Sequence, residues 1–238
     1  MQKKQYFCGG NLMNMDELLV FASNNAHKLD EVRRILAPRC VLCLRDIGFE
    51  GEIEETGLTL EENSLIKART VAEWIEQTAA LKGERPLHSK AEEYVVFADD
   101  TGLEIEALGG APGVFTARWA GEPACDANNR KKALAELAGK SNRNARFRTV
   151  VTVMKVRPLP SKSKDRCAQS IKEYRQVEGE VRGVMATEER GDSGFGYDAL
   201  FIPEGYEKTF GELPAEVKNT ISHRARAMKK LKQLIFNN

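Results

Sequence analysis

Apolar runs and polar turns alternate along the first half of this chain, and strand-like runs dominate the second half. A short apolar run at 18–21 predicts a buried strand, and apolar positions at helical spacing over 29–36 predict a helix that Pro38 ends. The same patterns predict further strands at 94–97, 147–156, 178–185 and 199–203, and further helices from Thr59, over 126–138 and over 222–235. The segments 76–93 and 157–166 show little periodicity and are predicted to be surface loops. This order favours an α/β fold with a mixed sheet and flanking helices.

Two adjacent carboxylates, Asp99 and Asp100, stand where the apolar strand 94–97 is expected to run into a glycine turn at Gly102. Charges at the end of a buried strand need a metal, a cationic partner or water. The segment 191–198 repeats the combination of glycines, acids and aromatic residues, and 222–224 adds polar groups at a predicted helix start. We expect these segments to meet in one site.

The polar turn 23–25 lies between the first predicted strand and the first predicted helix. A strand, a polar turn and a helix in this order expose backbone N–H groups and the positive end of the helix dipole to an anion. Lys28 falls in the first helical turn and adds a full positive charge. The pattern indicates a phosphate-binding turn.

The second predicted helix begins with the capping-box spacing of Thr59 and Glu62. Asn63 and Lys67 are four residues apart and therefore share one face of this helix. Glu55 precedes the helix in an acidic segment with a glycine turn. If its strand neighbours the strand of the two adjacent acids, the carboxylates meet in space.

Composition limits the classes of protein that this chain can belong to. The 238 residues are 42% hydrophobic and 30% charged, which suffices for one domain with a sizeable core. A formal net charge of +1 gives no basic field for a nucleic-acid polymer. No apolar run approaches the length needed to span a bilayer, and residues 1–14 lack the apolar core of a signal peptide. We therefore expect a soluble protein with no nucleic-acid or membrane partner.

The five cysteines are odd in number and scattered, which does not resemble a disulfide framework and fits a reducing cytoplasm. Cys40 and Cys43 form a C-x-x-C pair, but no second pair or nearby histidine accompanies it. Buried thiols are the preferred interpretation.

Seven ordered motifs between Leu18 and Leu234 resemble those of the inosine triphosphate pyrophosphatase family, the Ham1-like non-canonical purine nucleoside triphosphate pyrophosphatases. They are SNNAHK at 23–28, EETG at 54–57, ENSLIKA at 62–68, DDTGL at 99–103, GGAPG at 109–113, GFGYD at 194–198 and KNTISHR at 218–224. Each motif alone is weak evidence for the family, whereas seven motifs in the same order are strong evidence.

The resemblance implies an α/β enzyme with a long mixed sheet and two lobes around a central nucleotide cleft. Residues 1–15 would be an N-terminal extension and 16–238 a single two-lobed pyrophosphatase domain. The implied reaction is Mg²⁺-dependent hydrolysis of ITP, dITP and XTP to the monophosphate and pyrophosphate, a house-cleaning of the purine nucleotide pool. A cytoplasmic homodimer is the implied state of the protein.

The resemblance also implies roles for particular residues. Asp100 would be the general base and a metal-site residue, Glu55 a metal ligand and Asp99 a supporting acid at the metal site. The residues that would contact the substrate are Ser23, Asn24, Asn25, Ala26, His27, Lys28, Lys67, Thr101, Phe195, Gly196, Tyr197, Asp198, Lys218, His223 and Arg224. Among them, Lys28 and Lys67 would meet the phosphates and Phe195 the base.

The phosphate turn departs from the usual family pattern, because Ser23-Asn24-Asn25 stands where Thr-Gly-Asn is usual and His27 replaces a small residue, usually glycine. Asparagine adopts left-handed backbone angles more readily than most residues, so we expect the turn to be kept.

Two other functions are compatible with parts of the sequence. Asp100, Thr101 and Gly102 form the D-T-G triplet of aspartic proteases, which need two such carboxylates, whereas this chain has one triplet. A regulatory module that binds a nucleotide without cleaving it is the main alternative, and the altered turn at Asn24 and His27 motivates it. Release of pyrophosphate separates the module from the enzyme.

Overall fold

The computed structural model of the protein describes residues 17–82, 91, 93–157 and 171–236. Its strands are β1 (Glu17–Phe21), β2 (Val41–Leu42), β3 (Glu93–Ile105), β4 (Pro112–Gly113), β5 (Asn144–Val156), β6 (Ile171–Met185) and β7 (Phe201–Pro203). Its helices are α1 (Ala26–Leu36), α2 (Leu60–Lys82), α3 (Asp126–Glu136), α4 (Ala215–Ile221) and α5 (His223–Phe236), with 3₁₀ turns at Glu106–Leu108 and Thr116–Arg118. The predicted extension 1–15 lies outside the described residues.

The strands form one mixed sheet in the order β2-β1-β3-β5-β6-β7, with β4 paired to β3. β2, β1 and β3 are parallel, whereas the pairs from β3 to β7 are antiparallel. β3 lies at the change of direction and is long enough to pair with β1 at its start and with β5 along its whole length. The predicted α/β fold with a mixed sheet and flanking helices is confirmed.

Successive residues of β3 face opposite sides of the sheet, and both sides are covered. Tyr94 and Val96 pack in the same core cluster as Ile75 of α2. Val95 and Phe97 pack in a second cluster with residues of α1 and α5. Because side chains alternate along a strand, a strand buried on both faces has the continuous apolar run seen in the sequence. In a third cluster, Leu103 and Ile105 in the second half of β3 pack with residues of β5, β6 and β7.

The predicted glycine turn after Asp100 is wrong, because β3 continues through Gly102 to Ile105. Gly102 pairs with Arg148 of β5. A Cβ at Gly102 would lie 2.9 Å from the carbonyl oxygen of Gly113 in β4. The glycine therefore permits the close approach of β4 rather than a turn, and both adjacent carboxylates belong to the strand.

The segment predicted as a loop from residue 76 is helical up to Lys82, because the buried stripe of α2 continues through Ile75 to Ala79. The rest of that loop is outside the described residues, apart from Ala91 and the start of β3. The second predicted loop is likewise described only at Arg157. No helix in the described ranges is both long and apolar enough to cross a membrane.

The predicted C-terminal helix corresponds to α5, which begins at His223 directly after α4. The Ser222 hydroxyl accepts a hydrogen bond from the backbone N–H of Ala225 at 3.2 Å and so caps the helix start. α4 was not predicted. The break between the two helices places His223 and Arg224 at the beginning of α5, next to the sheet.

We expect Gly179→Ala in β6 to destabilise the protein by about 3 kcal/mol, at the upper end of overpacking costs. An added Cβ would lie 2.2 Å from the His223 carbonyl oxygen and 2.4 Å from the Ala227 nitrogen, so α5 would have to move off the sheet. Urea unfolding measures the loss. Gly51→Ala is the control, because its methyl group would approach only the ring of Phe49. Equal stability of the two variants would contradict this packing.

Candidate active site

The candidate site lies where β1 stops and β3 continues. Phe21 at the end of β1 pairs with Phe97, and the chain then turns into α1, leaving the next residues of β3 without a parallel neighbour. A pocket of about 320 Å³ opens there. All the predicted site residues except Asn24 and Ala26 line it. The structure therefore brings motifs from the whole chain to one cavity.

The turn between β1 and α1 is held by its own polar side chains. The Ser23 hydroxyl accepts from the backbone N–H of Asn25, and the Asn25 side chain accepts from the N–H of Lys28, both at 3.1 Å. Asn25 is extended, with φ −66°, so it caps α1 without left-handed angles. The Asn24 side chain accepts from the N–H of Arg45 instead, and Ala26 begins α1.

The ammonium group of Lys67 joins two of the predicted metal residues. It donates to Glu55 and to Asp100, each at 2.8 Å. Asn63, one helical turn earlier, lies with its amide nitrogen 3.5 Å from Asp100, and its oxygen accepts from the N–H of Gly57 at 2.8 Å. Glu55 lies in an irregular loop and not in the strand that the sequence suggested. The bonds of Asn63 and Lys67 anchor this loop to α2.

Asp99 faces the opposite side of β3 and has different cationic partners. Its carboxylate accepts from Lys28 at 2.9 Å and from the Nε of Arg224 at 3.0 Å. The Thr101 hydroxyl accepts from the Nη2 of Arg224 at 3.2 Å. Alternation along the strand therefore sends Asp99 towards α1 and α5, and Asp100 towards α2.

Burial and neighbouring charges shift the pKa values of Asp99, Asp100 and Lys67. Burial alone would raise the pKa of Asp99, but Lys28 and Arg224 outweigh it and hold the pKa well below its usual range. Burial raises the pKa of Asp100 above its ordinary value, against the opposite effect of Lys67. Burial would lower the pKa of Lys67, but Asp100 and Glu55 raise it. The two adjacent acids therefore differ in basicity.

Lys218 connects a second group of charges on the α4 side of the pocket. Its ammonium lies 2.5 Å from Asp198 and 2.7 Å from Glu31. Glu31 also pairs with Arg224, which is only 1% exposed. Sequence reasoning missed Glu31, although its position three residues after Lys28 on α1 places both on one helix face.

Aromatic rings line a further part of the pocket. Phe195 stacks on His27 with ring centroids 5.2 Å apart, and the Lys218 ammonium lies 4.8 Å above the Phe195 ring. His223 stacks on Phe147 at 4.6 Å. Phe147, which sequence reasoning also missed, lies on β5 beside the motif residues of β3.

His223 is a buried polar side chain with an unsatisfied atom. Its Nδ1 has no hydrogen-bond partner among the described residues. Burial lowers the pKa of His223 well below the ordinary value, and Arg224 and Lys218 add to this effect. A neutral imidazole has one donor and one acceptor nitrogen. The ring can therefore either donate a hydrogen bond to a ligand or accept one from it.

The turn around Gly196 and Tyr197 is fixed by partners that the sequence did not indicate. The N–H of Gly196 donates to Asp126 at 2.7 Å, and the Tyr197 hydroxyl donates to the carbonyl of Thr116 at 3.2 Å. The pocket is also lined by Ala22, Val114, Thr116, Ala117, Arg118 and Asp126, none of which was predicted. Most of these follow the GGAPG motif, which was the available signal.

The described parts of the chain contain no group of three or more His, Cys, Asp or Glu side chains arranged to hold a metal ion. The carboxylates that converge are Glu55 and Asp100, around Lys67. Cys43 is a buried free thiol, which agrees with the preferred interpretation of the C-x-x-C pair, whereas Cys40 is only half-buried.

The mixed sheet and the charged pocket define an α/β protein whose polar groups converge on one cavity. Residues 19–234 match the sequence model of the Ham1 family, and the chain belongs to this family. The resemblance inferred from the motifs is thus confirmed.

Relatives and solved structures match nearly the whole chain. A Bacillus subtilis (strain 168) protein named dITP/XTP pyrophosphatase is 43% identical over 220 residues, 91% of this chain and 96% of that protein. A Porphyromonas gingivalis protein of the same name is 41% identical over 222 residues, 92% and 98% of the two chains. The Staphylococcus aureus Ham1 protein structure has a TM-score of 0.71 at 31% identity, covering 93% of this chain and 99% of that chain. A HAM1 protein from Coxiella burnetii has a TM-score of 0.70 at 32% identity, covering 94% and 100%.

We expect Asp99→Asn to lower the free energy of unfolding by about 3–5 kcal/mol, the usual cost of removing one partner of a buried ion pair. Arg224 and Lys28 would lose the carboxylate that balances their buried charges. Urea unfolding at neutral pH measures the effect. Asp30→Asn, an exposed acid on α1, serves as the control. If both variants unfold at the wild-type urea concentration, Asp99 is not the required counter-charge.

Proposed function

We propose that this chain is a nucleoside triphosphate pyrophosphatase that hydrolyses ITP, dITP and XTP to the monophosphate and pyrophosphate. The observation that carries the proposal is the convergence of Glu55 and Asp100 on Lys67, in the same pocket as Phe195 and His223. Relatives named dITP/XTP pyrophosphatase over nearly the full length support the substrate class. The role that follows is removal of deaminated purines from the nucleotide pool.

The phosphates would lie at the end of the pocket that carries Lys28 and Lys67. The start of α1 offers backbone N–H groups and a positive dipole end to the same region, from the turn that contains Ser23, Asn25 and His27. Asn24 and Ala26 would act through the backbone of this turn. The paired carboxylates hold the two ammonium groups in place before a substrate arrives.

The residues present fit a Mg²⁺ ion at Glu55 and Asp100. Mg²⁺ prefers oxygen ligands and is usually held by one or two carboxylates together with substrate phosphates and water, so it needs no larger cluster of acids. Bound there, the ion would stabilise charge on the phosphoryl oxygens. Asp99 would support the metal site by fixing Lys28 and Arg224 beside it.

Asp100 is the general base in this proposal. A positioned carboxylate can take the proton of an attacking water and typically contributes about 10²- to 10⁴-fold to the rate. Lys67 and Asn63 contact Asp100 and fix its orientation. Asp100 would take the proton of the water that attacks the α-phosphorus.

The base would lie at the aromatic end, against Phe195. Hypoxanthine and xanthine present an oxygen where adenine presents an amino group. His223 and Arg224 can donate to that oxygen, and the unsatisfied Nδ1 of His223 supports a polar ligand there. Because a wrong base would leave buried polar groups unpaired, such contacts discriminate more strongly than shape does. Thr101, Gly196, Tyr197, Asp198 and Lys218 would shape this end through the contacts described above.

A panel of nucleoside triphosphates, assayed for pyrophosphate with and without Mg²⁺, tests the proposal. We expect ITP, dITP and XTP to be cleaved well above ATP, and Asp100→Asn to reduce turnover by about 10²-fold or more because the base is lost. Binding of ITP without pyrophosphate release would instead favour a regulatory nucleotide-binding module. Wild-type turnover by Asp100→Asn would contradict the assigned base.

Glu55→Gln should raise the Mg²⁺ concentration required for half-maximal activity, because an amide is a weaker ligand for a hard cation than a carboxylate. A Mg²⁺ titration of ITP hydrolysis measures this requirement. Glu54→Gln is the matched control, since it is the adjacent exposed acid. An unchanged titration curve for Glu55→Gln would remove Glu55 from the metal site.

We further propose that residues 16–238 form one two-lobed domain that acts as a cytoplasmic homodimer. The family match over 19–234 supports the single domain. The free thiols of Cys43 and Cys125 suit a reducing compartment, which also holds the nucleotide pool.

A further inference from the structure

Arg118 is a pocket residue with a weakly engaged charge. It ends the 3₁₀ turn Thr116–Arg118, and its side chain is 28% exposed. Its Nη1 atom lies 3.6 Å from the Oε2 of Glu55, whereas Lys28 and Lys67 contact their carboxylates at 2.9 and 2.8 Å. Within the described residues the guanidinium makes no closer polar contact. A guanidinium has five N–H donors, so most of its hydrogen-bonding capacity is available to a ligand.

The turn that carries Arg118 is held by hydrogen bonds on both sides. The Asn129 side chain, buried on α3, donates to the carbonyl of Ala117 at 2.8 Å and accepts from the N–H of Ala120 at 2.7 Å. The Thr116 hydroxyl accepts from the N–H of Leu103 at 2.8 Å. A binding residue on such a fixed turn loses little conformational freedom when its ligand arrives.

The neighbours of Arg118 indicate which part of a substrate it faces. It lies beside Glu55, which also contacts Lys67, in the part of the pocket where the phosphates are proposed to bind. If the Glu55 carboxylate binds a metal cation instead, no other acidic side chain of the described chain lies within 4.0 Å of Arg118. A polyphosphate supplies the negative oxygens that a planar guanidinium binds in pairs.

We propose that Arg118 binds the two phosphates that leave as pyrophosphate, an inference that rests on the proposed function. In that reaction a water oxygen bonds to the α-phosphorus and its proton passes to Asp100. The bond from the α-phosphorus to the bridging oxygen breaks, and that oxygen keeps the electron pair and leaves in the pyrophosphate. Arg118 stabilises the charge that gathers on this group.

The test compares Arg118→Ala and Arg118→Lys with the wild type, using inorganic pyrophosphate and IMP as separate probes in the presence of Mg²⁺. Calorimetry gives the binding of each probe, and product inhibition of ITP hydrolysis gives a second measure. We expect Arg118→Ala to weaken pyrophosphate binding by about tenfold or more, the usual loss for a charged hydrogen bond, and to change IMP binding by less than about twofold. Arg118→Lys keeps the charge and should lose less. Arg182→Ala, an exposed arginine outside the pocket, should match the wild type.

The outcomes separate this inference from the proposed function. If the wild type releases no pyrophosphate from ITP, the proposed function fails, and the binding of inorganic pyrophosphate still tests Arg118. If Arg118→Ala binds pyrophosphate as tightly as the wild type does, the inference is overturned. A changed Mg²⁺ requirement with unchanged pyrophosphate binding would show that Arg118 acts only by positioning Glu55. Should Arg118→Ala fail to fold, Arg118→Lys decides by the same two measurements.

Discussion

The balance of buried charge around β3 is the constraint on which the site depends. Asp99 and Asp100 are adjacent, face opposite sides of the sheet and are both buried. Each needs a cation, so Lys28 and Arg224 must reach one side and Lys67 the other. Three helices distant in sequence are thereby tied to one strand. The same ion pairs place three cationic side chains in the wall of the cavity.

The mixed sheet explains why a cavity exists at this position. β3 needs a parallel neighbour only for its apolar first half, where β1 covers it. Beyond Phe97 the antiparallel strand β5 still supplies hydrogen bonds, so β3 continues while β1 turns away into α1. The charged half of the strand thus gains an open side without losing its backbone pairing on the other. The capped start of α1 then faces Asp99 across this gap, and Lys28 joins the two.

The sequence was sufficient for the elements whose signals are local. The periodicity of α1 and the capping box of α2 were predicted, and the structure shows that box as bonds between Thr59 and Glu62. Gly102 was misleading, since its reason is the approach of β4, a tertiary contact. Glu31 was missed because its partner Arg224 is 193 residues away. The expected site residues are brought together apart from Asn24 and Ala26, and their chemical roles stay predictions.

The stacked pair of His27 and Phe195 has a consequence for recognition. A planar ligand that takes the position of the imidazole exchanges one ring contact for another, so the net gain in affinity from stacking is small. In the proposed function, selectivity then comes from the edge of the heterocycle, where the Nδ1 of His223 has no hydrogen-bond partner within the described part of the chain. Stacking alone would therefore accept many planar molecules, and the polar groups beside the rings would determine which of them bind tightly.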